Sequence, residues 1–139
     1  MRLHRVVYAS QPFGYDEAML NGILADARRC NVRDDITGAL ICRADLYLQW
    51  LEGPESAVRG AFARIARDDR HQDVRHLLSG PVEARLFGAW AMRHDPADSL
   101  IWTAAEVAAG VPDQAGEDQI LAIFARIAAA SAGGADGVS

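Results

Sequence analysis

The sequence predicts an α+β domain with a ferredoxin-like sheet, built in the order β-α-β-β-α-β-β. Three observations predict this fold. Short apolar or β-branched runs alternate with stretches of helical spacing, two central runs are joined by only three residues, and an alanine-rich segment follows the last run. We expect two helices on one face of the sheet and two C-terminal helices packing on the other.

Length, composition and charge narrow the function classes. The chain has 139 residues, half of them hydrophobic, and a net charge of -5. The length and composition are typical of one globular domain. The net negative charge means that this domain lacks the positive electrostatic field that attracts proteins to nucleic acid or to anionic membranes. No apolar run has the length of a signal peptide or of a membrane span. Because Cys30 and Cys42 have neither disulfide-framework nor zinc-site spacing, we predict a cytoplasmic protein with reduced thiols and no metal site.

The first half of the chain supplies a strand, a helix and a hairpin. His4–Ser10 is a β-branched run that ends at a turn containing Pro and Gly. A helix begins at Asp16, which is predicted to be its N-cap. Its buried stripe consists of Met19, Ile23 and Ala27. Ile36–Cys42 and Leu46–Leu51 follow as two strands, and the short connection between them predicts a hairpin.

The second half supplies another helix, two strands and the C-terminal helices. The helix opens at Pro54, a residue that suits the first turn. Strands are predicted at Val74–Leu78 and Arg85–Arg93, with a Ser-Gly-Pro break at residues 79–81. Two alanine-rich helices come after Pro96. Their buried faces are expected at Ile101, Ala104, Ala105 and Ala108 and at Ile120, Ile123, Phe124 and Ile127.

The chain is predicted to divide into a sheet unit and a helical extension. Residues 1–95 form the sheet unit, residues 96–131 the extension, and residues 132–139 a frayed tail. Helices this short are not stable alone, so each must bury its apolar stripe on the bare face of the sheet. The remaining apolar surface predicts a homo-oligomer.

Gln49 is the residue most out of place in this pattern. Both alternating faces of the strand around it are apolar, so its amide lies in the interior and needs polar partners. Tyr8 on the first strand is a candidate partner, because the first and third strands are neighbours in a ferredoxin-like sheet. From composition alone, a purely structural Tyr–Gln hydrogen bond in the core is favoured over a functional one, because buried polar groups are generally paired.

Other candidate residues also have ordinary structural explanations. Asn31 suits a helix C-cap in the left-handed region, and Arg70 and His71 suit the negative end of the second helix dipole. Trp90 and Met92 are two residues apart, which places both on one face of the fifth strand and favours a core position.

Taken together, the candidate residues indicate a function, because residues from about Leu3 to His94 resemble a BLUF domain, a blue-light sensor that binds a flavin. In chain order the motifs are the Tyr of Val6-Val7-Tyr8-Ala9-Ser10, Asn31 followed by Ile36-Thr37-Gly38-Ala39-Leu40, Leu48-Gln49-Trp50-Leu51-Glu52-Gly53-Pro54, Arg67-Asp68-Asp69-Arg70-His71, and Phe87-Gly88-Ala89-Trp90-Ala91-Met92. The family's ferredoxin-like fold agrees with the periodicity. The resemblance therefore implies that residues 1–95 are a sensor domain.

The resemblance also implies where the flavin ring binds. The ring lies edge-first between the two helices, with Ile23 packed on it and Asn31 hydrogen-bonded to its C4=O/N3 edge. Gln49 stands between flavin N5/O4 and the Tyr8 hydroxyl. Arg33 reaches the pyrimidine end of the ring.

The rest of the cofactor and the signal path follow from the same resemblance. Arg70 and His71 lie on the ribityl-phosphate side, where positive charge offsets the phosphates. Trp90 and Met92 neighbour Gln49 and relay the signal. Cys30 departs from the family, which often has a polar residue there, so a hydrogen bond from this position to the ring edge is weak at most.

The function implied is that of a photoreceptor and not an enzyme. Blue light excites a non-covalently bound flavin (FAD, with FMN or riboflavin as alternatives), and Tyr8 donates an electron and a proton. The hydrogen bonds of Gln49 then rearrange and give a red-shifted signalling state. This state is passed to the C-terminal helices and to a separate, unidentified signalling protein.

Three rival functions fit the fold. A small acylphosphatase-type hydrolase needs a Gly-rich anion loop, of which residues 11–14 are a poor version. An RNA-binding module needs exposed aromatic residues and positive charge, which the composition of 7% aromatic residues and the net charge of -5 disfavour. A flavin-free interaction or oligomerisation module on the same fold is the strongest rival, although Tyr8, Asn31 and Gln49 are all present.

Overall fold

A computed structural model describes residues 3–12, 17–43, 45–68, 71–88, 90, 92–96 and 102–133. The elements follow the predicted order. In sequence they are β1 (Leu3–Pro12), α1 (Glu17–Asp34), β2 (Thr37–Arg43), β3 (Leu46–Pro54), α2 (Glu55–Ala66), β4 (His71–Val82), β5 (Arg93–Pro96), α3 (Ala104–Ala108), a 3₁₀ helix (Val111–Gln114) and α4 (Glu117–Gly133). The predicted Asp16 cap and residues 134–139 of the predicted tail lie outside the described residues.

The described strands form one five-stranded sheet with the spatial order β4-β1-β3-β2-β5. β1 pairs antiparallel with both β3 and β4, and β2 pairs antiparallel with β3. β5 is a short edge strand that runs parallel to β2. The adjacency of the first and third strands, predicted from the ferredoxin-like pattern, is confirmed.

Each face of the sheet has its own hydrophobic core. One core joins β-strand residues to α1 and α2, and it includes Leu20, Leu24 and Val58. The other core joins the opposite face to the C-terminal region. It contains the whole predicted stripe of α4, which is Ile120, Ile123, Phe124 and Ile127. Val107 of α3 packs against the same core, so the prediction of two helices on one face and two C-terminal helices on the other is confirmed.

Two strand predictions were wrong in extent. β4 runs to Val82 through the predicted break, and Ser79 and Pro81 pair with β1. β4 is an edge strand, where a proline without an N–H is tolerated. The fifth strand begins only at Arg93, because the chain between Arg85 and Trp90 forms bends and a turn.

The face predicted for the first C-terminal helix was also wrong. Ala104, Ala105 and Ala108 of α3 are exposed, and the partly buried Val107 packs against the core instead. Ile101 lies outside the described residues. A five-residue helix has only one turn and a half, so a single residue suffices to anchor it. Among the described helices, none is long and apolar enough to cross a membrane.

Candidate functional site

The site is built around a tyrosine–glutamine pair in the middle of the sheet. Tyr8 of β1 and Gln49 of β3 stand directly opposite each other in the antiparallel register. Tyr8 is completely buried, Gln49 is 2% exposed, and the Tyr8 hydroxyl donates a hydrogen bond to Gln49 Oε1. Tyr8 is therefore the polar partner that a buried amide at position 49 requires.

The other end of the Gln49 amide is held by a methionine. Gln49 Nε2 donates to the sulfur of Met92 at 3.3 Å. Arg28 of α1 holds Met92 in turn, since its Nε donates to the Met92 carbonyl at 3.1 Å. Tyr8 and Met92 thus bracket the amide, and a hydroxyl donor on one side and a sulfur acceptor on the other select one orientation of it.

Trp90 and Met92 do not share a face, which corrects the prediction from their spacing. Met92 belongs to the core beneath α1 and α2, whereas Trp90 belongs to the core beneath α4. The reason is the backbone. Trp90 N bonds to Phe87 O at 3.0 Å, and Trp90 O accepts from Gly38 N at 3.1 Å. The chain therefore turns here before β5 begins, and strand alternation does not apply.

A cavity of about 210 Å³ opens between α1 and α2 beside this pair. Each helix lines it with residues spaced i, i+3, i+4 and i+7, as one helix face requires. From α1 these residues are Ile23, Asp26, Ala27 and Cys30, and from α2 and the residues just after it they are Ala61, Arg64, Ile65 and Asp68. The cavity is also lined by Arg29 and Asn31 of α1 and by Gln49 and Leu51 of β3. The small side chains of Ala27 and Ala61 leave a slot between the helices.

Three of the predicted flavin-binding residues line the cavity, whereas Tyr8 and Arg33 are not among its lining residues. Ile23, Asn31 and Gln49 are lining residues. Arg33 points elsewhere: its guanidinium donates to both carboxylate oxygens of Asp34, at 2.8 and 3.0 Å. These bonds lower the pKa of Asp34 and raise the pKa of Arg33. An ion pair between neighbouring residues has thus taken up the side chain that was expected at the ring.

The structure describes little of the two remaining predicted flavin-binding residues, Arg70 and His71. Arg70 lies outside the described residues, and His71 is described only as the first residue of β4. Arg29 and Arg64 line the cavity instead and were not identified from the sequence. Arg64 was identifiable, because it lies three residues after Ala61 on the inward face of α2.

Asn31 does not have the capping role that was its structural alternative. α1 continues to Asp34, and the residue with a left-handed backbone is Asp35, at a φ of 60°. Asn31 is 3% exposed inside the last turn and lines the cavity. Its position places an amide at the slot, close to the end of α1.

Burial is the main electrostatic influence on Tyr8. It raises the pKa of the hydroxyl well above the ordinary value of 10.0, and the nearby Cys42, Asp68 and Tyr47 raise this pKa further. The hydroxyl therefore keeps its proton at neutral pH. Loss of the proton alone would leave a buried phenolate, which burial disfavours.

The arrangement suits a flat, largely apolar ring with one polar edge. Aliphatic side chains from two helices cover its faces, and the amides of Gln49 and Asn31 supply donors and acceptors. The volume is below that of pockets that enclose a whole drug-sized ligand. The slot therefore has room for a ring but not for the whole of a larger molecule. Within the described residues, no cluster of His, Cys, Asp or Glu is able to hold a metal ion.

Comparison with known proteins identifies relatives of this arrangement. Residues 3–93 match the family model described as BLUF, sensors of blue-light using FAD. The chain is 38% identical over 68 residues to the photoactivated adenylate cyclase subunit beta of Euglena gracilis, covering 49% of this chain and 8% of that protein. It is also 38% identical over 66 residues to the blue light- and temperature-regulated antirepressor BluF of Escherichia coli (strain K12), covering 48% and 16%.

A solved structure extends the similarity over nearly the whole fold. The dark-state structure of the BLUF protein BlrB superimposes with a TM-score of 0.77 at 28% sequence identity. The match covers 93% of this chain and 97% of BlrB. The similar region thus reaches beyond residues 3–93 into the C-terminal helices.

Proposed function

The chain belongs to the BLUF family of blue-light sensors that use FAD, and we propose on this basis that it is a blue-light receptor with its flavin ring in the slot between α1 and α2. The observation that carries the proposal is the hydrogen-bonded series Tyr8–Gln49–Met92, whose central amide borders the cavity. This series supplies both an electron and proton donor and a side chain with two alternative orientations.

The lining residues fit a flavin. Ile23 packs on the ring, and Asn31 supplies the amide for its polar C4=O/N3 edge. We propose FAD as the natural form, although FMN and riboflavin present the same ring. Arg29 and Arg64 line the cavity and pair with Asp26 and Asp34 at 3.2 and 3.3 Å. To hold the phosphates of FAD or FMN they would exchange these partners for phosphate oxygens, in addition to the predicted Arg70 and His71.

The residues around the slot perform the light reaction. A flavin excited by blue light supplies a strong oxidant. Tyr8 gives up one electron and its hydroxyl proton and regains both afterwards. Gln49 would meanwhile rearrange its hydrogen bonds, by rotation, which exchanges its oxygen and nitrogen, by tautomer change, which moves a proton between them, or by both. A new or stronger hydrogen bond from Gln49 to the flavin O4 would shift the absorption to the red.

The two orientations of Gln49 are energetically distinct. In the structure the amide nitrogen donates to Met92 and the oxygen accepts from Tyr8. After rotation the nitrogen faces the Tyr8 hydroxyl, which accepts, but the Met92 sulfur loses its donor. Such a discrete exchange of hydrogen bonds is suited to a two-state signal.

The proposed output is a change at the C-terminal helices. Residues 1–95 are the sensor and residues 96–131 the extension that passes the signal to a separate partner protein, with the chain itself acting as a homo-oligomer and not as an enzyme. The photoactivated cyclase subunit is much longer, and this chain spans 8% of its length. Support for the path comes from α4, whose apolar stripe packs on the sheet face opposite the cavity.

Absorption spectra of purified protein, taken in darkness and just after blue light, test the proposal. We expect a flavin band that shifts slightly to the red and returns in the dark. Tyr8→Phe keeps the buried ring and its contact with Phe62 but removes the hydroxyl, so it is expected to bind flavin and to show no shift. Tyr47→Phe is the matched control, since Tyr47 is also completely buried, and it should shift like the wild type.

The outcomes separate the proposed function from its strongest rival. A reversible red shift in Tyr8→Phe would refute the proposed reaction while keeping the flavin. Failure of the wild-type chain to bind FAD, even after reconstitution, would refute the receptor function and favour a flavin-free interaction module.

A further inference from the structure

Glu52 is a completely buried carboxylate outside the flavin slot. It lies on β3 three residues after Gln49, and its side chain is on the opposite face of the strand. Four donors surround it. Oε1 accepts from Trp50 Nε1 at 3.0 Å and from Leu86 N at 2.7 Å. Oε2 accepts from Thr37 Oγ1 at 2.7 Å and from Phe87 N at 2.7 Å.

These four hydrogen bonds tie together parts of the chain that are far apart in sequence. Thr37 belongs to β2 and Trp50 to β3. The other two donors are backbone amides of the segment that leads directly to Trp90 and Met92. Arg85, which begins this segment, donates to Thr37 Oγ1 at 2.9 Å and to Asp35 O at 2.9 Å.

The anchored segment contacts both the site and the C-terminal helix. At its far end Met92 accepts the hydrogen bond of Gln49. At the anchor itself the ring of Phe87 packs on Trp50 at 6.0 Å and on Phe124 of α4 at 6.2 Å. A displacement of Met92 therefore acts on a segment that is also in contact with α4.

We propose that Glu52 is a positioning residue for the photocycle: by binding the amides of Leu86 and Phe87 it fixes the segment that presents Met92 to Gln49 and Phe87 to α4. This inference rests on the proposed receptor function. Glu52 does not line the cavity, and its four side-chain donors include neither Tyr8 nor Gln49, so its influence on that pair is indirect.

The chemistry of the side chain makes the role specific to a carboxylate. Each oxygen accepts two hydrogen bonds, which only a group without donors of its own satisfies. In Glu52→Gln an amide nitrogen replaces one oxygen. On the Oε1 side it would face two N–H donors. On the Oε2 side the Thr37 hydroxyl is able to turn round and accept, but the N–H of Phe87 is not. Either placement releases at least one amide of the segment.

The dark-recovery time of the red-shifted state tests the proposal. Recovery requires Met92 to return to its place as acceptor for Gln49. In Glu52→Gln the loosened segment has to find that place again, so we expect recovery to be slower by about tenfold, the rate equivalent of losing one charge-assisted hydrogen bond. Glu55→Gln is the control, because Glu55 is partly exposed at the start of α2, where it pairs with Arg59 on the helix surface and has no contact with the segment before β5 among the described residues.

A second readout separates positioning from simple stabilisation. A role in stability alone would lower the melting temperature of Glu52→Gln and leave the recovery time unchanged, and that result would overturn the proposal, as would faster recovery. If Glu52→Gln does not fold or does not bind FAD, Thr37→Val removes one donor to Oε2 and also the acceptor of Arg85 Nη1, and it should likewise slow recovery by about tenfold. Wild-type recovery in this variant would overturn the proposal.

Different results would refute the receptor function and the role of Glu52. If the wild-type protein shows no light-induced shift, the receptor function is wrong. If the wild type shifts and recovers while both variants recover at its rate, the receptor function stands and the role of Glu52 is wrong.

Discussion

Phe124→Ala tests whether α4 is an integral part of the sheet unit or only rests on it. Phe124 is completely buried, and its ring centroid lies 5.1 Å from that of Trp50 and 6.2 Å from that of Phe87. The substitution therefore leaves a hole at the point where β3, the segment before β5 and α4 meet.

The magnitude follows from burial and from the aromatic contacts. Truncating a buried phenylalanine costs about 3–5 kcal/mol, and each aromatic pair contributes about 0.5–1.5 kcal/mol beyond area burial. We expect a loss of about 4 kcal/mol in the free energy of unfolding. For a chain of this size that corresponds to a fall in Tm of about 15 °C.

Urea unfolding of the dark, FAD-loaded protein, followed by circular dichroism and by flavin absorption, measures this loss. The dark flavin spectrum should be unchanged, because the cavity lies on the other face of the sheet. Arg126→Ala, at an exposed position of the same helix, is the control and should change stability by less than about 0.5 kcal/mol. A loss below about 1 kcal/mol in Phe124→Ala would refute the packing of α4 on the sheet.

Two further predictions concern the slot and the buried tyrosine. Ala61→Leu fills the space between the helices, so this variant should fold with wild-type stability but bind no FAD in reconstitution. Ala66→Leu, on the exposed face of α2, is the control and should bind FAD normally. If Ala61→Leu still binds FAD, the ring lies elsewhere. Because the pKa of Tyr8 is raised in the folded protein, its contribution to stability is fully present below the unfolded value of about 10 and is lost as pH rises through the folded value. All 14 residues counted as Lys or Arg are arginines, so no lysine obscures this region, and urea unfolding should show stability falling above about pH 10. An equally steep fall in Tyr8→Phe would contradict the assignment.

Local sequence patterns predicted most of the fold because most of its elements are decided locally. The stripe of α4 and the hairpin of β2 and β3 follow from residue spacing, and both were correct. The fifth strand was misplaced for a non-local reason. The amides of Leu86 and Phe87 bond to the carboxylate of Glu52, more than thirty residues earlier in the chain, and this removes them from any sheet. No periodicity within residues 85–93 contains that information.

Some residues of the site were predicted correctly and others were not, for a similar reason. The need of the buried Gln49 amide for a partner, together with strand adjacency, was enough to identify Tyr8. The positions of charged side chains were harder to predict, because the long side chain of an arginine has several carboxylates within reach. Arg33 pairs with Asp34, while Arg64, on the other helix, also reaches Asp34 at 3.3 Å and borders the slot.

The two-sided burial of β3 has a consequence for how the protein is assembled. Gln49 and Trp50 are adjacent, and the strand presents one to each core. Because side chains alternate, a slip of one residue would exchange them, put an indole into the slot and bury an amide against α4. The turn before β3 opposes such a slip, since Arg43 Nη2 bonds Asp45 Oδ2 at 2.9 Å and Nη1 bonds Trp102 O at 2.8 Å. A misregistered chain would have no place for a flavin, so binding of flavin by the purified protein would report correct strand alignment before any light reaction is measured.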